Sequence, residues 1–171
     1  MIKDSGERRE FDTGAVRDIQ EGKGRCDLMP LDVVAGLTNN HVIRNIYEFQ
    51  FHNDPLRLET ALKEFILNYT EWCPDGYYAS QGVTTMCLEV SKHFEEGAKK
   101  YGEHNWQKGI PVKCYIDSAV RHYLKWLRGD NDEPHDRAFV WNILCCIWTC
   151  IHKPELNDYA KDGTEDDGNT L

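Results

Sequence analysis

The stretch "AFVWNILCCIWTC" (Ala138–Cys150) decides the fold class, because apolar residues lie on almost every side of it. A helix that is apolar all round packs at the centre of a protein. The stretch is shorter than the roughly 18 residues that a membrane span requires. The sequence therefore predicts a buried helix from His135 to Ile151, at the centre of an all-α protein with the architecture of a compact helical bundle.

Apolar residues at helical spacing predict further helices around this one. We expect one helix at Leu31–Phe51 and another that begins at Pro55, with Asp54 as its N-cap. Two more are expected at Thr84–Tyr101 and Tyr115–Arg128. No segment shows the strict alternation that is typical of a β-strand.

Composition divides the rest of the chain. Residues 1–154 are long enough for a single domain with a core. Within them, Gly and charged residues predict an irregular arm at residues 1–29, and Pro and Gly predict a loop at residues 70–84. Residues 155–171 are acidic and small, which predicts a disordered tail.

Charge and hydropathy exclude several classes of protein. The net charge of -9 disfavours nucleic-acid binding through phosphates. No apolar run is long enough for a membrane span, and the start of the chain lacks the apolar core of a signal peptide. The seven cysteines contain no CxxC pair, which argues against a zinc knuckle. We therefore expect a protein of the cytoplasm, either of its own cell or of a host cell.

The Thr84–Tyr101 helix carries polar residues along the margin of its buried face. They form one stripe at helical spacing: Glu89, His93, Glu96 and Lys100. Carboxylates in this position suit Mg²⁺ or Mn²⁺, which accept oxygen ligands. The alternative is a solvated border of ordinary ion pairs.

The central helix is interrupted by a polar stripe. Asn142 lies within the apolar run, and a buried amide costs free energy unless its hydrogen bonds are met. His135 projects in the same direction. Either Asn142 is a satisfied core residue, or this stripe faces a ligand or metal cavity.

The acidic and imidazole groups at the start of this helix also have two interpretations. They are Asp132, Glu133, His135 and Asp136. Carboxylates here are normal caps and partners of the helix dipole. They equally suit the completion of a metal site.

Four segments together resemble the tailed-phage dATP/dGTP diphosphohydrolase family: "GAVRDIQEGKGRCDLMP", "FEEGAKKYGEHNWQKGIP", "DSAVRHYLKWLRGDNDEPHD" and "AFVWNILCCIWT". The resemblance runs from Ser5 to Pro154. It implies a helical enzyme similar in style to the MazG-like nucleotide pyrophosphohydrolases. Such an enzyme uses Mg²⁺ held by helix carboxylates and hydrolyses a purine dNTP to the monophosphate and pyrophosphate. By the same analogy we expect a homo-oligomer.

Candidate residues for this reaction fall into three groups. The predicted metal ligands are Glu89, His93, Glu96 and Asp136. The predicted catalytic residues, which supply a base or offset leaving-group charge, are Lys100, Arg121, His122 and His135. The predicted substrate-binding residues are Arg17, Lys23, Arg25, Asn105, Trp106, Lys125 and Asn142.

Two predicted substrate contacts have structural alternatives. Trp106 suits stacking on a purine and Asn105 suits reading its edge, but Trp106 would equally serve as a plug at the end of the bundle. The segment "EGKGR" suits closure over a triphosphate, and a solvated turn explains it equally well.

Two other functions stay open at this point. The His135–Asp136 doublet suits an HD-type phosphohydrolase, which would release tripolyphosphate or phosphate. A non-catalytic phage nucleotide-binding protein would leave the nucleotide intact. Product analysis separates the three.

Overall fold

The structure is a computed structural model that describes residues 6–38, 40–69 and 79–159. Within these residues it contains six α-helices: α1 (Leu31–Thr38), α2 (His41–His52), α3 (Pro55–Asn68), α4 (Ala79–Tyr101), α5 (Val112–Arg128) and α6 (His135–His152). Short 3₁₀ turns lie at Cys26–Leu28, Asn105–Lys108 and Pro154–Leu156. The predicted all-α class is confirmed.

The α6 helix lies at the centre of the bundle, as its apolar surface predicts. Phe139, Ile143 and Cys146 are fully buried on it. It packs along α5 and also contacts α3 and α4. None of the described helices is both long and apolar enough to cross a bilayer.

The single helix expected at Leu31–Phe51 is in fact two helices. The α1 helix ends at Thr38 and α2 begins at His41. Asn40 caps α2, because its side chain accepts a hydrogen bond from the backbone N–H of Ile43 (3.1 Å). The same amide donates to the Tyr123 hydroxyl (2.8 Å), so α5 holds the break in place.

The other helices begin at or before their predicted starts. Asp54 caps α3 as predicted, accepting a hydrogen bond from the N–H of Leu56 (3.1 Å). The α4 helix begins at Ala79 rather than Thr84, and α5 begins at Val112 rather than Tyr115. Residues 70–78 of the predicted loop lie outside the described residues.

The two ends of the chain are more ordered than their composition predicts. The N-terminal arm contains an antiparallel hairpin that pairs β1 (Arg8–Glu10) with β2 (Val16–Asp18), which corrects the expectation of no strands. Tyr159 packs edge-on against Phe49, with ring centroids 5.9 Å apart. Residues 155–159 therefore belong to the packed fold, and residues 160–171 of the predicted tail lie outside the described residues.

Candidate functional site

A cavity of about 960 Å³ lies between the N-terminal arm and helices α4, α5 and α6. Small-ligand sites range over about 300–1,000 Å³, so this one is large enough for a nucleotide. Asn105 holds the arm over the cavity by pairing with both backbone groups of Val16. The Val16 N–H donates to Asn105 Oδ1 and Asn105 Nδ2 donates to the Val16 carbonyl, each at 2.9 Å.

A cluster of metal-ligating side chains, which we call the His–Glu cluster, lies at one end of the cavity. It consists of His122 on α5, with Glu133 and His135 at the start of α6. His122 and Glu133 line the cavity, and His135 is buried beside them. The Nδ1 atoms of the two histidines lie 2.9 Å apart. Each lies 3.6 Å from Glu133 Oε1. Two nitrogens at this separation, each about 2.1 Å from a common ion, subtend an angle of about 90° at it. The three donors therefore fit one divalent cation.

A carboxylate outside the His–Glu cluster orients His135. The Nε2–H of His135 donates to Asp132 Oδ1 at 2.8 Å, which leaves the Nδ1 lone pair facing the cluster. This hydrogen bond lowers the pKa of Asp132 to about 2. Burial, followed by the neighbouring His135, lowers the pKa of His122, so this imidazole is neutral and able to bind a metal.

A second group of donors overlaps the first and consists of Asp130, Asp132 and His135. Its carboxylates already have cationic partners. Arg128 binds both oxygens of Asp130, and Lys125 Nζ lies 3.5 Å from Asp132 Oδ2. The His–Glu cluster is therefore the better candidate for a cation.

The structure does not bring the predicted carboxylate ligands to this cluster. Glu89 pairs with Lys92 on α4, and Asp136 accepts a hydrogen bond from the Tyr69 hydroxyl (3.0 Å) on the side of α3. Glu96 is not among the residues that line the cavity. The predicted stripe marks the margin of the buried face of α4, and of its members only His93 reaches the cavity wall.

His93 lines the cavity with one ring nitrogen unsatisfied. Its side chain is buried, and Nδ1 has no hydrogen-bond partner among the described residues. Its ring lies 5.8 Å from that of Trp141. Burial lowers the pKa of His93 to about 4, so the imidazole is neutral near pH 7. A neutral imidazole offers one donor and one acceptor to a ligand.

Arg17, on β2, presents a guanidinium to the cavity. It donates to the Cys114 carbonyl (3.2 Å) and to Asn142 Oδ1, and it lies 5.3 Å from the centre of the Tyr115 ring. In the described part of the chain no carboxylate pairs with it, and burial lowers its pKa. An enclosed cation without an acid partner is unfavourable, and an anionic ligand in the cavity would offset that charge.

Asn142 is buried, and its hydrogen bonds are met. Its Oδ1 accepts from Arg17, and its Nδ2 donates to the Ala138 carbonyl at 2.8 Å. It also lines the cavity. Asn142 is therefore a satisfied core residue that also orients a guanidinium at the cavity wall, and its contact with a ligand stays a prediction.

The buried carboxylate of Asp117 ties the arm to α5. It accepts hydrogen bonds from Gln20 Nε2 (2.7 Å), from the Cys26 N–H (2.6 Å) and from Arg121. The Nε–H of Arg121 donates in turn to the Lys23 carbonyl (3.1 Å). The segment "EGKGR" is therefore anchored at the rim, where Lys23 lines the cavity.

The remaining predicted residues have structural partners. Lys100 pairs with Asp18 (2.9 Å), and Arg25 binds both oxygens of Asp27. Neither Lys100 nor Arg25 lines the cavity. Trp106 does line it while packing edge-on against Trp148 at 5.0 Å, which fits the plug at the bundle end that the sequence allowed.

The sequence placed Glu133 in a group that suits a metal site but not among the named metal ligands, and it did not identify Asp117 as an anchor. The sequence did contain a signal for Glu133. The pair "RH" (Arg121–His122) lies in the second half of α5, "DEPH" (Asp132–His135) lies at the start of α6, and a short turn joins the two helices. Two consecutive helices joined in this way bring those ends together. No sequence signal distinguishes Asp117 from an ordinary partner of Arg121.

Fold and site together describe an all-α protein with a cavity large enough for a nucleotide, bordered by basic side chains and by a cluster of metal-ligating groups. Residues 80–159 match the family described as dATP/dGTP diphosphohydrolase, N-terminal. This match supports the family resemblance that the sequence shows. The match supports a hydrolase acting on nucleotides, and the matched region includes the whole His–Glu cluster. No curated protein and no solved structure matches the chain.

Proposed function

We propose that the chain hydrolyses dATP or dGTP to the monophosphate and pyrophosphate within this cavity. The observation that carries the proposal is the composition of the cavity wall. The wall holds His122 and Glu133, whose donor atoms converge with that of the adjacent His135, and the guanidinium of Arg17, which has no acid partner among the described residues. A nucleotide bound with its cation would supply a positive ion to the His–Glu cluster and negative phosphate groups to Arg17.

The donor set favours Mn²⁺ over Mg²⁺ as the cation. Two imidazole nitrogens and one carboxylate oxygen suit a first-row transition ion, whereas Mg²⁺ prefers oxygen ligands and retained water. His122, Glu133 and His135 would hold the ion. When bound, such an ion lowers the pKa of coordinated water and offsets phosphate charge.

The cationic side chains of the wall would bind and orient the phosphates. Arg17 is held by Asn142 and by the Cys114 carbonyl, and Arg121 is held by Asp117. Preorganised donors of this kind stabilise developing charge without reorganising during the reaction. Lys23 at the rim adds a third cation that is accessible to the γ-phosphate of an entering nucleotide.

Product analysis tests this function. The purified protein is incubated with each dNTP and NTP, with Mn²⁺ or Mg²⁺, and the products are separated by chromatography. We expect dAMP or dGMP with pyrophosphate, and faster turnover with Mn²⁺. Tripolyphosphate and deoxynucleoside would instead identify an HD-type reaction, and intact nucleotide would identify a binding protein.

The geometry gives little support to the HD-type alternative. Its motif is the His135–Asp136 doublet, but the Asp136 carboxylate is bound by the Tyr69 hydroxyl, whereas His135 points to the His–Glu cluster. The two side chains do not present a joint pair of ligands.

Matched variants test the His–Glu cluster. Glu133→Gln keeps the side-chain shape and removes the charge, so we expect turnover to fall by at least about a hundredfold. Glu89→Gln is the control, because Glu89 does not line the cavity, and we expect it to retain activity. Full activity in Glu133→Gln would remove Glu133 from the site.

A further inference from the structure

A helical glycine lies where the cavity meets α4. Gly97 lines the cavity, and a Cβ placed on it would meet no atom within 4 Å. Glycine in a helix interior is less stable than alanine. Neither a positive φ nor a close approach of another chain segment requires glycine here. Its effect on the protein is therefore to leave open space in the cavity.

This open space continues along the same face of α4. Ala98 and Gly102 also line the cavity beyond Gly97, and the aromatic rings of Phe94 and Trp106 stand beside them, 5.6 Å apart. Residues at these spacings share one helix face. We call this strip of small residues with its two aromatic neighbours the α4 slot. Phe94 and Trp106 pack edge-on against each other, and the small residues beside these rings leave room for a planar heteroaromatic ligand.

One polar group stands at the end of the α4 slot. His93 precedes Phe94, is buried, and keeps an unsatisfied ring nitrogen. A base edge provides hydrogen-bond donors and acceptors, so it would satisfy this neutral imidazole. The cations Arg17, Lys23 and Arg121 come from the arm and α5, whereas the charged residues that line the cavity from α4 and the turn after it are the acids Glu95 and Glu103. Phosphates are therefore disfavoured on the α4 side.

We propose that the α4 slot holds the purine base of the nucleotide, and that Gly97 determines the size of base the enzyme accepts. This proposal rests on the proposed function, since it assigns the phosphates to the cations of the arm and α5 and the base to the α4 side of the cavity. A two-ring purine needs the space that a Cβ at position 97 would take. A one-ring pyrimidine needs less of it.

Substitution of Gly97 tests the α4 slot. Gly97→Ala should lower kcat/KM for dGTP and dATP by roughly tenfold or more, and Gly97→Val should lower it further. The loss should be smaller for dCTP and dTTP. Inhibition by pyrophosphate should not change, because the phosphate-binding cations are untouched.

The matched control is Gly36→Ala. Gly36 is also a helical glycine with open space around its Cα, but it lies on α1 and does not line the cavity. Each glycine-to-alanine substitution should raise the thermal stability of the protein above that of the wild type, since both positions are helical. Only the Gly97 variant should lose purine turnover. This pairing separates a filled slot from a general effect on folding.

Unchanged kcat/KM for dGTP and dATP in Gly97→Val would overturn the proposal. It would also be overturned if kcat/KM for purine and pyrimidine nucleotides and the affinity for inhibitory pyrophosphate all fell by the same factor. If the wild-type protein hydrolyses no nucleotide, the proposed function fails, and binding of dGMP by equilibrium dialysis still tests the slot. Loss of dGMP binding in Gly97→Val with pyrophosphate binding retained would support it. Absence of dGMP binding by the wild type would overturn it.

Discussion

His135 uses both nitrogens of one ring. Nε2 is bound to Asp132 and Nδ1 faces His122 and Glu133. A carboxylate in this position fixes the tautomer and the orientation of a metal-binding imidazole. The proposed role of His135 as a metal ligand therefore depends on Asp132, a residue that need not contact the ion.

Removal of the orienting carboxylate should weaken metal binding. We expect Asp132→Ala to lower Mn²⁺ affinity by about 10–100-fold, because His135 loses the partner that fixes its tautomer. Isothermal titration with Mn²⁺, in the absence of nucleotide, measures this. Glu89→Ala is the control. Equal affinity in the wild type and Asp132→Ala would show that Asp132 does not orient a metal ligand.

The buried His93 should make stability depend on pH. Its pKa falls from the ordinary 6.5 to about 4 on folding, so the unfolded chain binds more protons between these values. Stability is therefore lost as the pH falls below 6.5. Between pH 7.5 and pH 5, the wild type should lose about 2 kcal/mol more than His93→Gln, measured by urea unfolding. The same difference between the two proteins at both pH values would contradict a neutral, buried His93.

Helices α1 and α2 show how one element ends and another begins. Asn40 caps α2 and also pairs with the Tyr123 hydroxyl of α5. The apolar pattern runs through this point, so the sequence predicts one helix. The break follows from the cap and from a contact with a distant element.

Loss of this cap should cost more than loss of an exposed one. Asn40→Ala removes the cap and leaves the buried Tyr123 hydroxyl unpaired, so we expect about 2 kcal/mol of destabilisation. Asp54→Ala removes a cap at the surface, and we expect about 1 kcal/mol. Urea unfolding of both variants compares them. An equal loss would mean that the Tyr123 contact contributes nothing to the break.

The arm and the bundle together enclose the cavity. Asn105 binds Val16, Lys100 binds Asp18, and Asp117 binds Gln20 and Cys26. These contacts join residues far apart in sequence. A site with one wall from the arm therefore requires the arm to be docked.

Detachment of the arm should affect nucleotide binding more than metal binding. Asn105→Ala removes both hydrogen bonds to Val16, so we expect faster amide exchange at residues 8–18 and a higher KM for dGTP. Mn²⁺ affinity should change little, because the His–Glu cluster lies on α5 and α6. Hydrogen exchange and titration measure the two effects. Unaltered exchange would mean that other contacts hold the arm.

Homo-oligomer formation and a cytoplasmic location stay predictions from the sequence. Sedimentation of the purified protein measures the first.

The amino-acid pattern alone determined the all-α class, the central position of α6 and the presence of metal-ligating groups near its start. These are properties of local periodicity and composition, which act within one helix at a time. Tertiary structure alone decided that His122, Glu133 and His135 meet while Glu89 and Asp136 turn away. The rotation of each helix about its axis is set by packing against its neighbours, and periodicity within that helix does not specify it.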